Sequence, residues 1–157
     1  MKVWGFVLNV EIMQFLKKCL KMISFTIPGN PKPQQRHRIA RNGRMYDPSS
    51  KDKKQTWLQI ASHCPKLPLA GDIMIKLVFT MARPKNQYRT GKYKHLLKDN
   101  VSQWHSYVPD IDNLCKYLFD LIQGKHGFIC DDSQICMLQA EKVWGFTGKT
   151  EVVIEEI

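Results

Sequence analysis

Between Asp112 and about Gln123 the apolar residues Leu114, Tyr117, Leu118, Leu121 and Ile122 recur at helical spacing, and Gly124 stands ready to stop the run. The spacing predicts an amphipathic helix. Asp112, Lys116 and Asp120 stand four apart on the face turned away from the leucines, so its polar groups are gathered. Val108-Pro109-Asp110-Ile111 leads into this helix, and a glycine-bounded loop leads out of it to an acidic echo, Cys130-Asp131-Asp132-Ser133-Gln134. Asp110 or Asp112 fits a helix N-cap, where a carboxylate accepts orphan backbone N–H bonds and complements the dipole. One cap does not need four acids. Twelve helical residues at ~1.5 Å each span roughly 18 Å. The eight residues from Gly124 to Asp131 cover up to about 27 Å when extended, so Asp132 is within reach of the helix start.

Converging carboxylates repel one another, and a protein keeps them ionised together only where a hard cation or strong donors offset the repulsion. Mg²⁺ is the natural candidate, since it takes oxygen ligands and usually binds through a few carboxylates plus substrate phosphate oxygens. Such an ion activates a water and neutralises charge on phosphorus oxygens during in-line displacement. Lys116 has two readings: a cationic partner for the scissile phosphate, or an i to i+4 salt bridge with Asp112 or Asp120.

Charge distribution supports a catalytic reading. Residues 1–108 hold 20 Lys and Arg against 5 Asp and Glu, a net of +15; residues 109–157 hold 4 against 9, a net of −5. The whole chain carries +10. A simple nucleic-acid clamp has no reason to put acids where phosphates lie, whereas a metal-dependent nuclease needs an acidic island in a basic surface. At 157 residues the chain is one domain by prior. Its five cysteines are odd in number and form no C-x-x-C pair, which favours neither disulfides nor zinc and points to a reducing cytosolic compartment.

Residues 3–16 are apolar but interrupted by Asn9, Glu11 and Gln14, too short and broken for a membrane span and without a signal-peptide cleavage site. They read as an appended helix or strand. Lys2 to Phe6 repeats letter for letter as Lys142 to Phe146, with no accompanying period. Ile23 to Pro28 alternates like a strand and runs into a basic loop with Lys32, Arg36, Arg38, Arg41 and Arg44, suited to phosphate contacts or simply solvated. Ser49 to Ser62 predicts a helix, capped by Ser49 or Ser50, with Trp57, Leu58 and Ile60-Ala61 on its apolar side. Asp72 to Met81 is nearly continuous in apolar residues and predicts a central strand. In residues 82–107, Arg83, Lys85, Arg89 and three lysines interleave with Tyr88, Tyr93, His95, Trp104 and Tyr107. This mixture suits base stacking at an opened site, and equally a mobile surface loop. Gln134 to Trp144 and Thr150 to Ile157 read as antiparallel neighbours, with Glu141, Glu151, Glu155 and Glu156 on solvent faces. The expected fold is α+β, a small mixed β-sheet with two or three helices.

PDIDNLCKYLFDLIQG followed by CDDSQI, with the opening FTIPGNPKPQQRHR, resembles the RusA-type Holliday junction resolvases, crossover junction endodeoxyribonucleases of bacteria and their phages, over roughly residues 23–157. The resemblance implies a RusA-like endonuclease domain over 23–157 and an N-terminal extension over 1–22. It implies that Asp110, Asp112 and Asp132 bind the metal, that Lys116 is the essential lysine and that Asp131 is a supporting acid. It also implies Mg²⁺ as cofactor, with Mn²⁺ as substitute, and a homodimer that nicks opposite strands of a four-way junction in recombination and repair. A two-fold dimer suits symmetry-related strands of a branched substrate. The chain departs from the pattern at Val108, at His37 and in the segment before Met22.

The expected function is therefore a Mg²⁺-dependent junction endonuclease of phage or prophage origin, working in the bacterial cytoplasm and away from membranes. Lys32, Arg36, Arg38, Arg41, Arg44, Arg83, Lys85 and Arg89 would hold the arms of branched DNA. The alternatives are a non-catalytic branched-DNA-binding or architectural protein, and an interaction protein whose working part is the N-terminal segment.

Overall fold

The computed structural model describes residues 22–157, and the readings made of residues 1–21 lie outside the described residues. In chain order the elements are β1 (Met22–Pro28), β2 (Arg38–Ile39), β3 (Met45–Tyr46), α1 (Ser50–Ile60), β4 (Ile73–Ala82), α2 (Ile111–Ile122), β5 (Ile135–Gly145) and β6 (Lys149–Glu156). Four strands form one sheet in the order β1-β6-β4-β5, and β2 and β3 pair as a small ribbon inside the basic loop. β6 is antiparallel to both β1 and β4, while β5 is parallel to β4. The fold is the expected α+β arrangement on a mixed sheet.

One pairing differs from the sequence reading. β5 and β6 are not neighbours, because β4 lies between them and bonds to both. The three residues after Gly145 step over the end of β4, where the Arg83 N–H donates to the Gly145 carbonyl at 2.9 Å. The apolar run of β4 thereby gains a partner on each side, and β5 is left as an edge strand with Met137 and Leu138 about half exposed. Central placement does not bury both faces of β4. Ile73, Ile75, Leu77 and Phe79 are buried, whereas Met74 and Val78 are only partly covered.

The apolar stripe of α2 settles onto the buried sheet face: Leu114, Tyr117, Leu118, Leu121 and Ile122 join Phe25, Ile75, Leu77, Phe79, Val152 and Ile154 in one core. α1 begins at Ser50, as its spacing predicts, but presents a different face. Thr56 and Ile60 are buried and Leu58 is 72% exposed, because at 100° per residue position 58 points away from both. Ser49 occupies the N-cap position without capping; its Oγ instead accepts the Gln35 N–H at 3.1 Å, which ties the basic loop to the helix start.

Lys53 clamps the layers. Its ammonium donates to Asp47 Oδ2 and to Asp120 Oδ2, each at 2.9 Å, and thus joins α1, the β3–α1 connection and α2. Burial works against its charge, but the two carboxylates overcome this and raise its pKa. Lys53→Met should lower stability by about 1–2 kcal/mol, read as an earlier urea midpoint. An unchanged midpoint would show that the clamp adds nothing.

The segment after α2 is folded back on the helix end. Phe128 and Ile129 are fully buried, and their N–H groups donate to the Ile122 carbonyl at 2.7 and 3.3 Å. Phe128 packs against Phe25 and, edge on, against Trp57. A Cβ at Gly127 would overlap the Ile122 carbonyl oxygen, so the tight return needs glycine there.

Candidate active site

Asp110 and Asp112 sit at the start of α2, and both are exposed. Asp110 is the N-cap residue in extended backbone, yet its side chain makes no capping bond. Its carboxylate oxygens are not committed to the helix, contrary to the capping reading. Asp112 accepts a hydrogen bond from Lys116 Nζ at 3.0 Å, so the i to i+4 pair foreseen for this lysine is formed. That bond, and to a lesser degree the Asn113 N–H, holds the Asp112 carboxyl below its ordinary value. Asp112 is an anion at neutral pH.

Two open depressions meet at Asp112. The first is lined by Gln34, Gln35, Arg36 and His37 together with Asp112, Asn113, Lys116 and Asp120. The basic loop is held there by a backbone bond, Gln34 N–H to the Asn113 carbonyl at 2.9 Å, so its arginines begin beside the acids. The second is lined by Trp104, His105, Ser106, Tyr107, Asp110, Ile111, Asp112, Ala140, Glu141 and Lys142. Lys142 fixes its floor: Nζ donates to the Tyr107 and Pro109 carbonyls, each at 2.6 Å, on the backbone leading directly into Asp110. Lys142 carries no local sequence signal of this role, and Glu141, expected on a solvent face, also lines the depression. Nothing local marks a lysine that reaches carbonyls 33 and 35 residues upstream.

Asp131 and Asp132 lie at the other end of α2. The Asp132 N–H donates to Oε1 of Gln123, the C-cap residue, at 3.1 Å. A twelve-residue helix is about 18 Å long, so within one chain Asp132 is held apart from Asp110 and Asp112. Asp131 caps a short 3-10 turn: Oδ1 accepts the Ser133 N–H at 3.0 Å, and bonds from Ser133 hold its carboxyl below the ordinary range. Gln134 Oε1 completes the box by accepting from the Asp131 and Cys130 N–H groups, and Gln134 Nε2 donates to the Leu69 and Gly71 carbonyls. Asp131 thus has a structural task, and Gln134, quoted in the sequence motif, is the residue that seats the acidic pair. Among the described residues no three His, Cys, Asp or Glu side chains converge into a group able to hold a metal ion.

The basic residues fall into two sets. Arg36, Arg38, Arg41 and Arg44 are exposed along the basic loop that carries β2 and β3, and Lys85 is exposed on a short 3-10 turn. Lys32, Arg83 and Arg89 are engaged: Lys32 pairs with Asp52 at 2.7 Å and Arg89 with Asp99 at 2.7 Å. Arg83 donates to Gln87 Oε1 and the Ser102 carbonyl. Among the described residues no helix is long and apolar enough to cross a membrane. Cys115 is buried on α2, and burial followed by the charge of Asp112 pushes its thiol up to about 11, which keeps it protonated and unreactive.

Comparison with known proteins bears on the whole of this arrangement. Over 55 residues, 35% of this chain, the sequence is 42% identical to the crossover junction endodeoxyribonuclease rusA of Lactococcus phage r1t. That stretch spans about two fifths (41%) of the phage protein's length. The family model described as Endodeoxyribonuclease RusA matches residues 28–155, from the end of β1 nearly to the end of β6 and across both acidic motifs. The chain belongs to the endodeoxyribonuclease RusA family.

Proposed function

We propose that the protein is a divalent-metal-dependent endodeoxyribonuclease that incises four-way DNA junctions, with Mg²⁺ as its ordinary cation. The observation that carries this reading is the pair of uncapped, exposed carboxylates at Asp110 and Asp112, set between an arginine-bearing loop and an aromatic-lined depression. The relative in Lactococcus phage r1t is named for crossover junction cleavage. Hard carboxylate oxygens with uncommitted lone pairs suit Mg²⁺, and Mn²⁺ in its place. When bound there, the cation supplies acidity to an attacking water and neutralises charge on the phosphorus oxygens. Asp110 and Asp112 orient it, Lys116 can turn its ammonium from Asp112 to a phosphate oxygen, and Arg36 and Arg38 take the neighbouring phosphates.

Two carboxylates make an incomplete set, and a homodimer resolves this. In a two-fold pair the partner's Asp132 supplies the third ligand, and each chain lends its own in return. The first part of the β5 edge, before the 103–107 segment bonds to Lys142 and Trp144, supports such pairing. β5 starts just after Asp132, at the far end of α2, and reaches the Asp110 depression at Ala140–Lys142. An antiparallel pairing of two β5 strands about Met137–Gln139 would carry each Asp132 toward the partner's aromatic-lined depression.

Lys142→Met should reduce cleavage about tenfold to a hundredfold by releasing the backbone that orients Asp110, with Lys142→Arg restoring much of it. Equal loss in both variants would mean that the two carbonyl bonds are not what matters. The reading as a whole is tested by mixing the protein with a four-way junction and a matched linear duplex, in Mg²⁺, Mn²⁺ or EDTA. Junction-confined, EDTA-sensitive incision is expected. Tight junction binding with no incision in either metal would instead establish a non-catalytic branched-DNA-binding protein.

A further inference from the structure

The aromatic residues between Trp104 and Tyr107 are not explained by the acid site or by the core. His105 and Trp144 lie tilted against each other with ring centroids 4.2 Å apart, Tyr107 meets His105 edge on at 6.0 Å, and the Arg83 guanidinium lies 5.9 Å from the Trp144 ring. This segment is held firmly on the outer edge of β5. The His105 N–H donates to the Lys142 carbonyl at 3.0 Å, the Trp144 N–H to the Gln103 carbonyl at 2.8 Å, and Lys142 Nζ to the Tyr107 carbonyl. It is a fixed platform where the sequence allowed a mobile loop.

Covering the edge of β5 accounts for His105, which is 6% exposed, but not for its neighbours: Trp104 and Tyr107 are 51% and 66% exposed. Both line the depression that contains Asp110 and Asp112. In the same wall, the buried His105 Nδ1 has no hydrogen-bond partner among the described residues. Burial, and then the positive charge of Lys142, lower the His105 pKa, so the ring is neutral at physiological pH.

We infer that this depression is a nucleobase site: an unpaired base at the branch point stacks on Tyr107 and Trp104, beside the phosphate presented to Asp110 and Asp112. The inference rests on the proposed nuclease function and deepens it by naming what distinguishes a branched substrate. Bases in a continuous duplex stay stacked on one another and have no face to offer, whereas a branch point interrupts the stack and lowers the cost of opening a base onto an aromatic ring. An exposed ring with a basic surround is sequence-tolerant, because every base has a π-face.

Binding measured in EDTA separates this site from catalysis. Four combinations are compared on the full chain: wild type and Tyr107→Ala, each with an intact four-way junction and with one carrying an abasic position at the branch. Tyr107→Ala should weaken junction binding about tenfold and leave linear duplex binding unchanged, with Tyr107→Phe close to wild type. The abasic junction should lose a similar factor with the wild-type protein, and the variant should lose little more on it, since ring and base are the two halves of one contact. Additive losses, an equal loss on duplex, or a Tyr107→Ala variant that binds junction like wild type would overturn the site. If Tyr107→Ala did not fold, the abasic arm on wild-type protein would decide: an undiminished affinity there overturns it as well. Wild-type protein that binds no junction at all would remove the proposed function too, an outcome distinct from a junction binder indifferent to Tyr107.

Discussion

Asp112→Asn is expected to lower junction cleavage on the order of 10³-fold or more, since metal-supplied stabilisation is worth several kcal/mol, while junction binding is kept or tightened. The substitution conserves shape and removes one negative charge from a surface meant for phosphates. Folding should be unaffected, because Asp112 is 60% exposed in a solvent-facing pair with Lys116, a type of ion pair that contributes little to stability. Gel-shift binding in EDTA, cleavage in Mg²⁺ and a urea midpoint on the same preparation separate the outcomes. Loss of binding together with cleavage, or a fall in the midpoint, would return Asp112 to a structural role in the first turn of α2.

The second large effect concerns Asp132. If the partner subunit's Asp132 completes each site, Asp112→Asn and Asp132→Asn should each abolish cleavage as pure homodimers, yet regain it when mixed and allowed to exchange. In the mixed dimer one site carries both substitutions and the other carries neither. The mixture should therefore recover single nicks, on the order of a quarter of the wild-type rate when half the dimers are mixed and each has one of two sites intact. A site built within one chain cannot behave in this way, because every subunit would carry a defect in its own acid set. Persistent inactivity of the exchanged mixture, with subunit exchange verified, would rule out the shared site. Full activity of pure Asp132→Asn would remove Asp132 from the metal set altogether.

Local signals carried much of the fold. The spacing of Leu114, Tyr117, Leu118, Leu121 and Ile122 placed α2 to within a residue at each end, and the apolar run of β4 identified the strand with neighbours on both sides. What escaped was set by distant partners. A three-residue link after Gly145 looks like a hairpin, but whether β4 slips between the two strands depends on pairing across 60 residues or more, which no window of sequence contains. The position of Asp132 was open for a similar reason. Chain length gives the farthest point a loop can reach, whereas the path is chosen by burial of Phe128 and Ile129 and by their bonds to Ile122, which hold the acidic pair at the far end of α2. The Asp112–Lys116 pair was legible because residues four apart share one helix face. Lys142 was not, since its partners are loop carbonyls brought to it by the β4–α2 connection.

The two sites of the proposed dimer should incise opposite strands together, and a supercoiled plasmid that extrudes a cruciform tests this. The extruded junction persists only while the plasmid is supercoiled, so a first nick relaxes the molecule and reabsorbs the substrate. Cutting both strands within one bound complex is the only route to linear product. With Mg²⁺ the protein should convert this plasmid mainly to linear DNA, and with EDTA leave it intact. Nicked circles as the sole product, or no cutting in Mg²⁺ and Mn²⁺ alike, would contradict it.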